Sequence, residues 1–193
     1  MQAFRIVSFG TSLSAGGGWQ ADLCARLQSE LGRDVEVLIH AKPGASSAWG
    51  VETVANVAAL DLDLILLEFA INDASLLRGV SLAQSRANLA RMVAALRAEA
   101  PGRQIMLMTM SPPFRLKRLV RPLLGRYYAL CRQVAIDLQL DFIDLRSEWA
   151  KLPASELRRA IPDNLHPTPE AARKVIVPPL AEAIVGLVRS ANL

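Results

Sequence analysis

The chain reads as an α/β protein, a three-layer α/β/α sandwich built on a mostly parallel five-stranded sheet. Short apolar runs bounded by turn residues alternate with amphipathic helical patterns along its whole length. Residues 62–69, LDLILLEF, are almost continuously apolar, as a strand covered on both faces is. The first and third apolar runs end in glycine or polar residues, where open parallel sheets place their ligands. The 193 residues, 52% hydrophobic and 21% charged, suffice for one full core. No repeat, low-complexity linker or shift in composition divides residues 1–193, so one domain is expected.

Taken in order, residues 4–13, FRIVSFGTSL, form an apolar strand that runs into Gly10, two hydroxyl residues and a leucine. Trp19, Leu23, Leu27 and Leu31 then recur every fourth residue until Gly32, which predicts a helix over residues 18–31 with Trp19 in the core. Residues 35–40 are the second strand, followed by a turn-rich loop over 41–47 and a helix to about residue 60. The third strand, 62–69, leads into Ala70-Ile71-Asn72-Asp73. Ser81 with Gln84 forms a capping-box signature for a helix whose inner face is Leu82, Leu89, Met92, Val93 and Leu96, ending at Pro101-Gly102. Residues 105–110 are the fourth strand. Leu123, Tyr127, Leu130, Val134 and Leu138 mark the buried face of the next helix, and residues 141–145 the fifth strand. Short helical turns fill 146–160. Thr168-Pro169-Glu170 opens the last helix with a cap, a proline in the first position and an acid at the positive end of the dipole. Pro178-Pro179 is expected to break or kink it. Five βα units imply right-handed crossovers and helices on both faces of the sheet.

The net charge of +4 comes from 22 basic and 18 acidic residues that are interspersed, which does not announce a nucleic-acid protein. Cys24 and Cys131 lie on separate helical patterns without metal-ligand or CxxC spacing, so reduced, packed thiols and a reducing compartment are expected. The first residues lack the charged start and apolar run of a signal peptide, and no apolar stretch approaches membrane-spanning length. A cytoplasmic protein with no transmembrane segment is the expectation.

Ser12, at the end of the first strand, is a candidate nucleophile, although a serine there commonly just caps a helix or closes a turn. Far downstream, Asp163-Asn164-Leu165-His166 has the spacing that lets a carboxylate and an imidazole meet across one turn. With Ser12 it completes a candidate triad in the chain order Ser, Asp, His. His40, the other histidine, lacks an upstream acid at short spacing and reads as structural. Asp73, Asp141 and Asp144 share no tight turn with a histidine. By itself, Gly44 after Pro43 reads as the third position of a type II turn, and Asn72-Asp73 as a turn or helix cap.

Together, Gly10-Thr11-Ser12-Leu13, Gly44, Asn72 within Ala70-Ile71-Asn72-Asp73, and Asp163-Asn164-Leu165-His166 resemble, in the right order, the four blocks of the SGNH hydrolase superfamily, the GDSL-type esterases. The resemblance spans residues 4–167. It implies the flavodoxin-like SGNH hydrolase fold and a serine carboxyl-ester hydrolase that works through an acyl-enzyme, with neither cofactor nor metal. Ser12 would be the nucleophile, His166 the base that returns the proton to the leaving alcohol, and Asp163 the group that holds the imidazole tautomer. The oxyanion hole would comprise the Ser12 N–H, the Gly44 N–H and the Asn72 amide. Two departures stand out. Thr11 replaces the usual Asp of the first block, which is not a triad member. Ala70 replaces the usual Gly of the third, where a required positive φ would cost about 1 to 2 kcal/mol and disturb Asn72. The same framework serves acyltransferases, thioesterases, lysophospholipases and carbohydrate deacetylases. Only the loops at 42–48, 72–80 and 111–120 remain to wall the cleft, so an open site preferring acetyl to butyryl esters is expected. Selectivity would then lie on the alcohol side, with small-molecule or carbohydrate esters as substrates.

Two further features stay open. Residues 114–126 carry Arg115, Lys117, Arg118, Arg121 and Arg126 and no acid. They read as a solvated face, as a cover that lays Leu116, Leu119 and Val120 over the cleft, or as a contact for an anionic partner, whether substrate, carrier or membrane surface. Gly10 and Gly16-Gly17-Gly18 after the first strand also raise a non-enzymatic, nucleotide- or phosphate-binding reading. That loop lacks the GK[ST] ending of a P-loop and does not match GxGxxG, and the reading leaves Asp163 and His166 without a role.

Overall fold

Five strands, β1 (Phe4–Gly10), β2 (Val35–Ala41), β3 (Leu64–Glu68), β4 (Gln104–Met108) and β5 (Asp141–Ile143), make one sheet in the order β2-β1-β3-β4-β5, every pair parallel. The structure is a computed structural model and describes residues 2–16 and 18–191. The ten helices of the described residues are α1 (Ser12–Ala15), α2 (Trp19–Leu31), α3 (Ser47–Ala58), α4 (Ala70–Asp73), α5 (Leu82–Glu99), α6 (Arg115–Leu119), α7 (Leu124–Asp137), α8 (Leu145–Ala150), α9 (Ala154–Ala160) and α10 (Pro169–Ala191). Helices α2, α8 and α10 pack together as one layer, and α3, α5 and α7 as another. β3 is buried along its whole length, as its unbroken apolar run demands, and Trp19 and Trp149 are fully enclosed. Gly32 closes α2 with φ of 64°, a left-handed conformation that glycine adopts with no Cβ penalty.

This strand order positions the site. The chain leaves β1 toward β2 on one side and returns to β3 on the other, so the loops after β1 and β3 diverge and open a crevice at their carboxyl ends. Gly10 pairs in register with Glu68. The segments carrying Ser12 and Asn72 therefore start side by side.

Several local expectations need correction. Pro178-Pro179 does not break the last helix, which runs from Pro169 to Ala191. Val175, Ile176, Val177, Leu180, Ala181 and Ile184 are buried along that stretch, and their packing outweighs the missing N–H donors. Leu123 is 43% exposed and precedes α7, while its neighbour Leu124 turns inward. Ser81 caps α5 by accepting the Gln84 N–H at 3.1 Å, but the Gln84 amide turns to Asn88, so the reciprocal half of the capping box is not made. The two cysteines need no correction: as the sequence predicts, Cys24 and Cys131 are free thiols, Cys131 buried and Cys24 partly so.

Candidate active site

The turn after β1 is built around a buried carboxylate. Thr11, in extended conformation, caps the four-residue helix α1 by accepting the Leu13 N–H at 3.3 Å. Its own N–H donates to Glu68 Oε1 at 2.6 Å, and its hydroxyl to the same carboxylate at 2.9 Å. The Ser14 hydroxyl donates to Glu68 Oε1 at 2.9 Å. Ser12 thus stands between two residues anchored to one acid at the end of β3. Gly10 is glycine for a steric reason, since a Cβ there would collide with the Glu68 side chain and carbonyl. Burial pushes Glu68 up to about 7, even though the Thr11 and Ser14 hydrogen bonds oppose the shift. Nothing in the sequence singled out Glu68, because an acid closing an apolar run looks like the start of a loop.

The opposite wall is the loop between α9 and α10. Asn164 adopts φ of 68°, which asparagine tolerates, and turns the chain back on itself. Asp163 Oδ1 accepts the Leu165 N–H at 2.9 Å and the His166 N–H at 2.6 Å, so the loop closes on its own carboxylate. Asp163 Oδ2 meets His166 Nδ1 at 2.5 Å, and His166 Nε2 meets Ser12 Oγ at 2.8 Å. With Nδ1 protonated against Asp163, Nε2 keeps its lone pair for the serine proton. The loop is fastened from outside by the Phe114 N–H on the Asn164 carbonyl at 2.8 Å and by the Ser111 hydroxyl on the Leu165 carbonyl at 3.1 Å. Partial burial raises Asp163, but the His166 ring, the His166 N–H and the Leu165 N–H outweigh it and hold the carboxyl at about 2.

Gly44 and Asn72 belong to a third cluster. Pro43 and Gly44 sit inside the turn closed by the Ala45 N–H on the Lys42 carbonyl, and Gly44 has φ of 76°, so the glycine is required by the turn. Asn72 Nδ2 donates to the Ala45 carbonyl at 2.8 Å, which ties this turn to α4. Its Oδ1 accepts from Arg121 Nη2 at 3.3 Å, and Arg121 Nε is fixed on the Ile71 carbonyl at 2.7 Å. Arg121 is only 7% exposed, so it leaves the basic run and supports Asn72 instead. Ala70 lies in the helical turn α4 and is not among the residues with positive φ, so its Cβ carries no strain and Asn72 keeps its orientation. Neither the Ser12 nor the Gly44 N–H has a protein acceptor among the described residues, and one N–H of the Asn72 amide is likewise free.

Ser12, Leu13, Ala15, Gly16, Pro43, His166 and Pro167 line an open cleft of about 260 Å³. Leu116, Leu119 and Val120 are not part of that wall. His40 lies outside it too, stacked on Trp49 with ring centroids 5.4 Å apart, and its burial lowers its proton affinity. Asp73 is buried and accepts from the Ser47 N–H and the Ser85 hydroxyl. Asp144 accepts from Thr109. Gly17 lies outside the described residues. The β1–α1 turn offers a phosphate little, because the Thr11 N–H is spent on a carboxylate.

Fold and site together bring a hydroxyl, an imidazole and a carboxylate into one hydrogen-bonded line at the carboxyl edge of a parallel sheet. A family model described as the GDSL-like lipase/acylhydrolase family matches residues 7–174, and the chain belongs to that family. It is therefore a hydrolase of ester bonds. Among solved structures, a lipase/acylhydrolase from Enterococcus faecalis superposes with a TM-score of 0.78 at 25% identity, covering 97% of this chain and 96% of that one. A peptidoglycan O-acetylesterase gives 0.82 at 15% identity, covering 98% and 92%. A carbohydrate acetylesterase family member from Sinorhizobium meliloti gives 0.71 at 18% identity, covering 97% and 98%. The last two likenesses speak to the fold alone. No curated protein matches the chain.

Proposed function

We propose that the protein is a serine carboxyl-ester hydrolase in which Ser12, His166 and Asp163 act as a triad on short acyl esters. The observation that carries this reading is the unbroken hydrogen-bonded line from Ser12 Oγ through both ring nitrogens of His166 to Asp163. His166 Nε2 takes the Ser12 proton as Oγ bonds to the ester carbonyl carbon, and Asp163 stabilises the imidazolium that forms. The free N–H groups of Ser12, Gly44 and Asn72 are the donors for the tetrahedral oxyanion. Collapse of that intermediate breaks the bond to the alcohol, which leaves with the proton from Nε2. Water then attacks the acyl-Ser12 with His166 again as base, releasing the acid. No step requires a cofactor or a metal.

The small, open cleft supports an acyl group of acetyl to butyryl length, with the alcohol side left to the solvent. Fluorophosphonate labelling with peptide mapping tests the nucleophile: Ser12 is the expected site, and modification at another serine overturns the assignment. Asn72→Ala is expected to lower kcat about 10² to 10³-fold with little change in KM. A p-nitrophenyl ester series tests acyl length. Each methylene buried in a true tunnel would add about 0.8 kcal/mol, so kcat/KM rising steadily to the octanoyl ester would replace the short-acyl reading.

A further inference from the structure

Seven large apolar side chains are exposed among the described residues, and five of them, Leu76, Leu77, Leu116, Leu119 and Leu123, lie on two adjoining segments. Leu76, Leu77, Leu116 and Leu119 are 67%, 80%, 68% and 71% exposed. The segments are joined where the Leu76 N–H donates to the Val120 carbonyl at 2.9 Å. α6 buries none of its residues, yet both its ends are fixed, one by Phe114 on the Asn164 carbonyl and the other by Arg121 on the Ile71 and Lys117 carbonyls. A helical turn held in place while its leucines face water marks an interaction surface, because a solvated face has no use for them.

The same face is strongly cationic. Arg115, Lys117, Arg118 and Arg126, all within residues 114–126, make no ion pair among the described residues. These four equal the whole chain's net charge of +4, so the remaining formal charges balance, and the segment holds these four cations with no acid among them.

We infer that this face docks on an anionic phospholipid surface, with the leucines entering the interface and the cations meeting headgroup phosphates. A second copy of the same face would set cations against cations. A rigid protein partner needs shape complementarity and favours aromatic anchors, whereas this face is an outstanding turn of aliphatic side chains. A lipid surface requires only apolar reach and opposite charge. The Phe114 link to Asn164 puts the docked face beside the loop of Asp163 and His166, so an ester displayed at the surface is presented to the cleft. Docking does not depend on the triad.

Vesicle co-sedimentation of the full chain tests it, comparing phosphatidylcholine alone with phosphatidylcholine containing phosphatidylglycerol. Binding to the anionic vesicles alone is expected, and it should weaken as ionic strength rises from about 0.05 M to about 0.5 M. Lys117→Glu with Arg118→Glu should lower partitioning about 25-fold or more, at about fivefold for each lost cation. Leu116→Ser with Leu119→Ser should lower it about tenfold or more. Both double variants should hydrolyse a soluble acetyl ester at the wild-type rate, and Ser12→Ala should bind vesicles unchanged while losing hydrolysis. Equal partitioning onto neutral and anionic vesicles, or no partitioning at all, overturns the inference. So does a dimer that dissociates on Leu116→Ser with Leu119→Ser, which would assign the face to a second copy of the chain.

Discussion

Glu68 and Asp163 stand on either side of Ser12 with the same functional group, and their surroundings drive them in opposite directions. Glu68 accepts from Thr11 and Ser14 but is enclosed, and desolvation pushes it up to about 7. Asp163 is about half exposed, and its hydrogen bonds from His166 and Leu165 hold it down to about 2. Only Asp163 is a permanent anion across the working range, which is what an imidazolium needs beside it. Glu68 trades protons near neutrality and serves as an acceptor that fixes the turn. The number of hydrogen bonds does not separate them, since each accepts several. Access to water does.

Their contributions to stability run oppositely with pH. Asp163 is folded below its ordinary 3.8, so its contribution is present above that value and is lost as pH falls through about 2. Glu68 is folded above its ordinary 4.5, so the folded chain holds a proton that the unfolded chain releases. Its contribution is full below 4.5 and is lost as pH rises through about 7.

The largest expected effect comes from breaking the exposed arm. Asp163→Asn should lower kcat about 10⁴-fold while leaving thermal stability near wild type, measured by initial rates and a melting curve. A large loss of stability with little loss of rate would mean that Asp163 is merely a loop staple. Breaking the buried arm should do the reverse. Glu68→Ala strands the Thr11 N–H and the Thr11 and Ser14 hydroxyls and opens a cavity, which should cost about 3 kcal/mol in urea unfolding. The smallest effect sharpens the contrast. Wild-type stability should decline as pH rises from 4.5 to 7, and Glu68→Gln should flatten that decline while retaining most activity. An unchanged slope in Glu68→Gln would assign the pH dependence to another group.

The sequence by itself determined what depends on near neighbours. The order of strands and helices, the caps at Ser81 and Thr168, the turn at Gly44 and the pairing of Asp163 with His166 all arise within a few residues, where periodicity and turn chemistry act. The motif blocks named the family because their order survives in one dimension. Other features depend on partners far along the chain. Ser12 and His166 are 154 residues apart in sequence and meet only because β1 and the α9–α10 loop converge at the sheet edge. Glu68 becomes an anchor because register sets it beneath Gly10. Arg121 leaves a surface run because the Ile71 carbonyl and Asn72 Oδ1 offer it acceptors. Pro178-Pro179 stays helical because buried neighbours outweigh the lost hydrogen bonds. In each case the deciding quantity is burial or a long-range contact, and both come into being only when the layers pack.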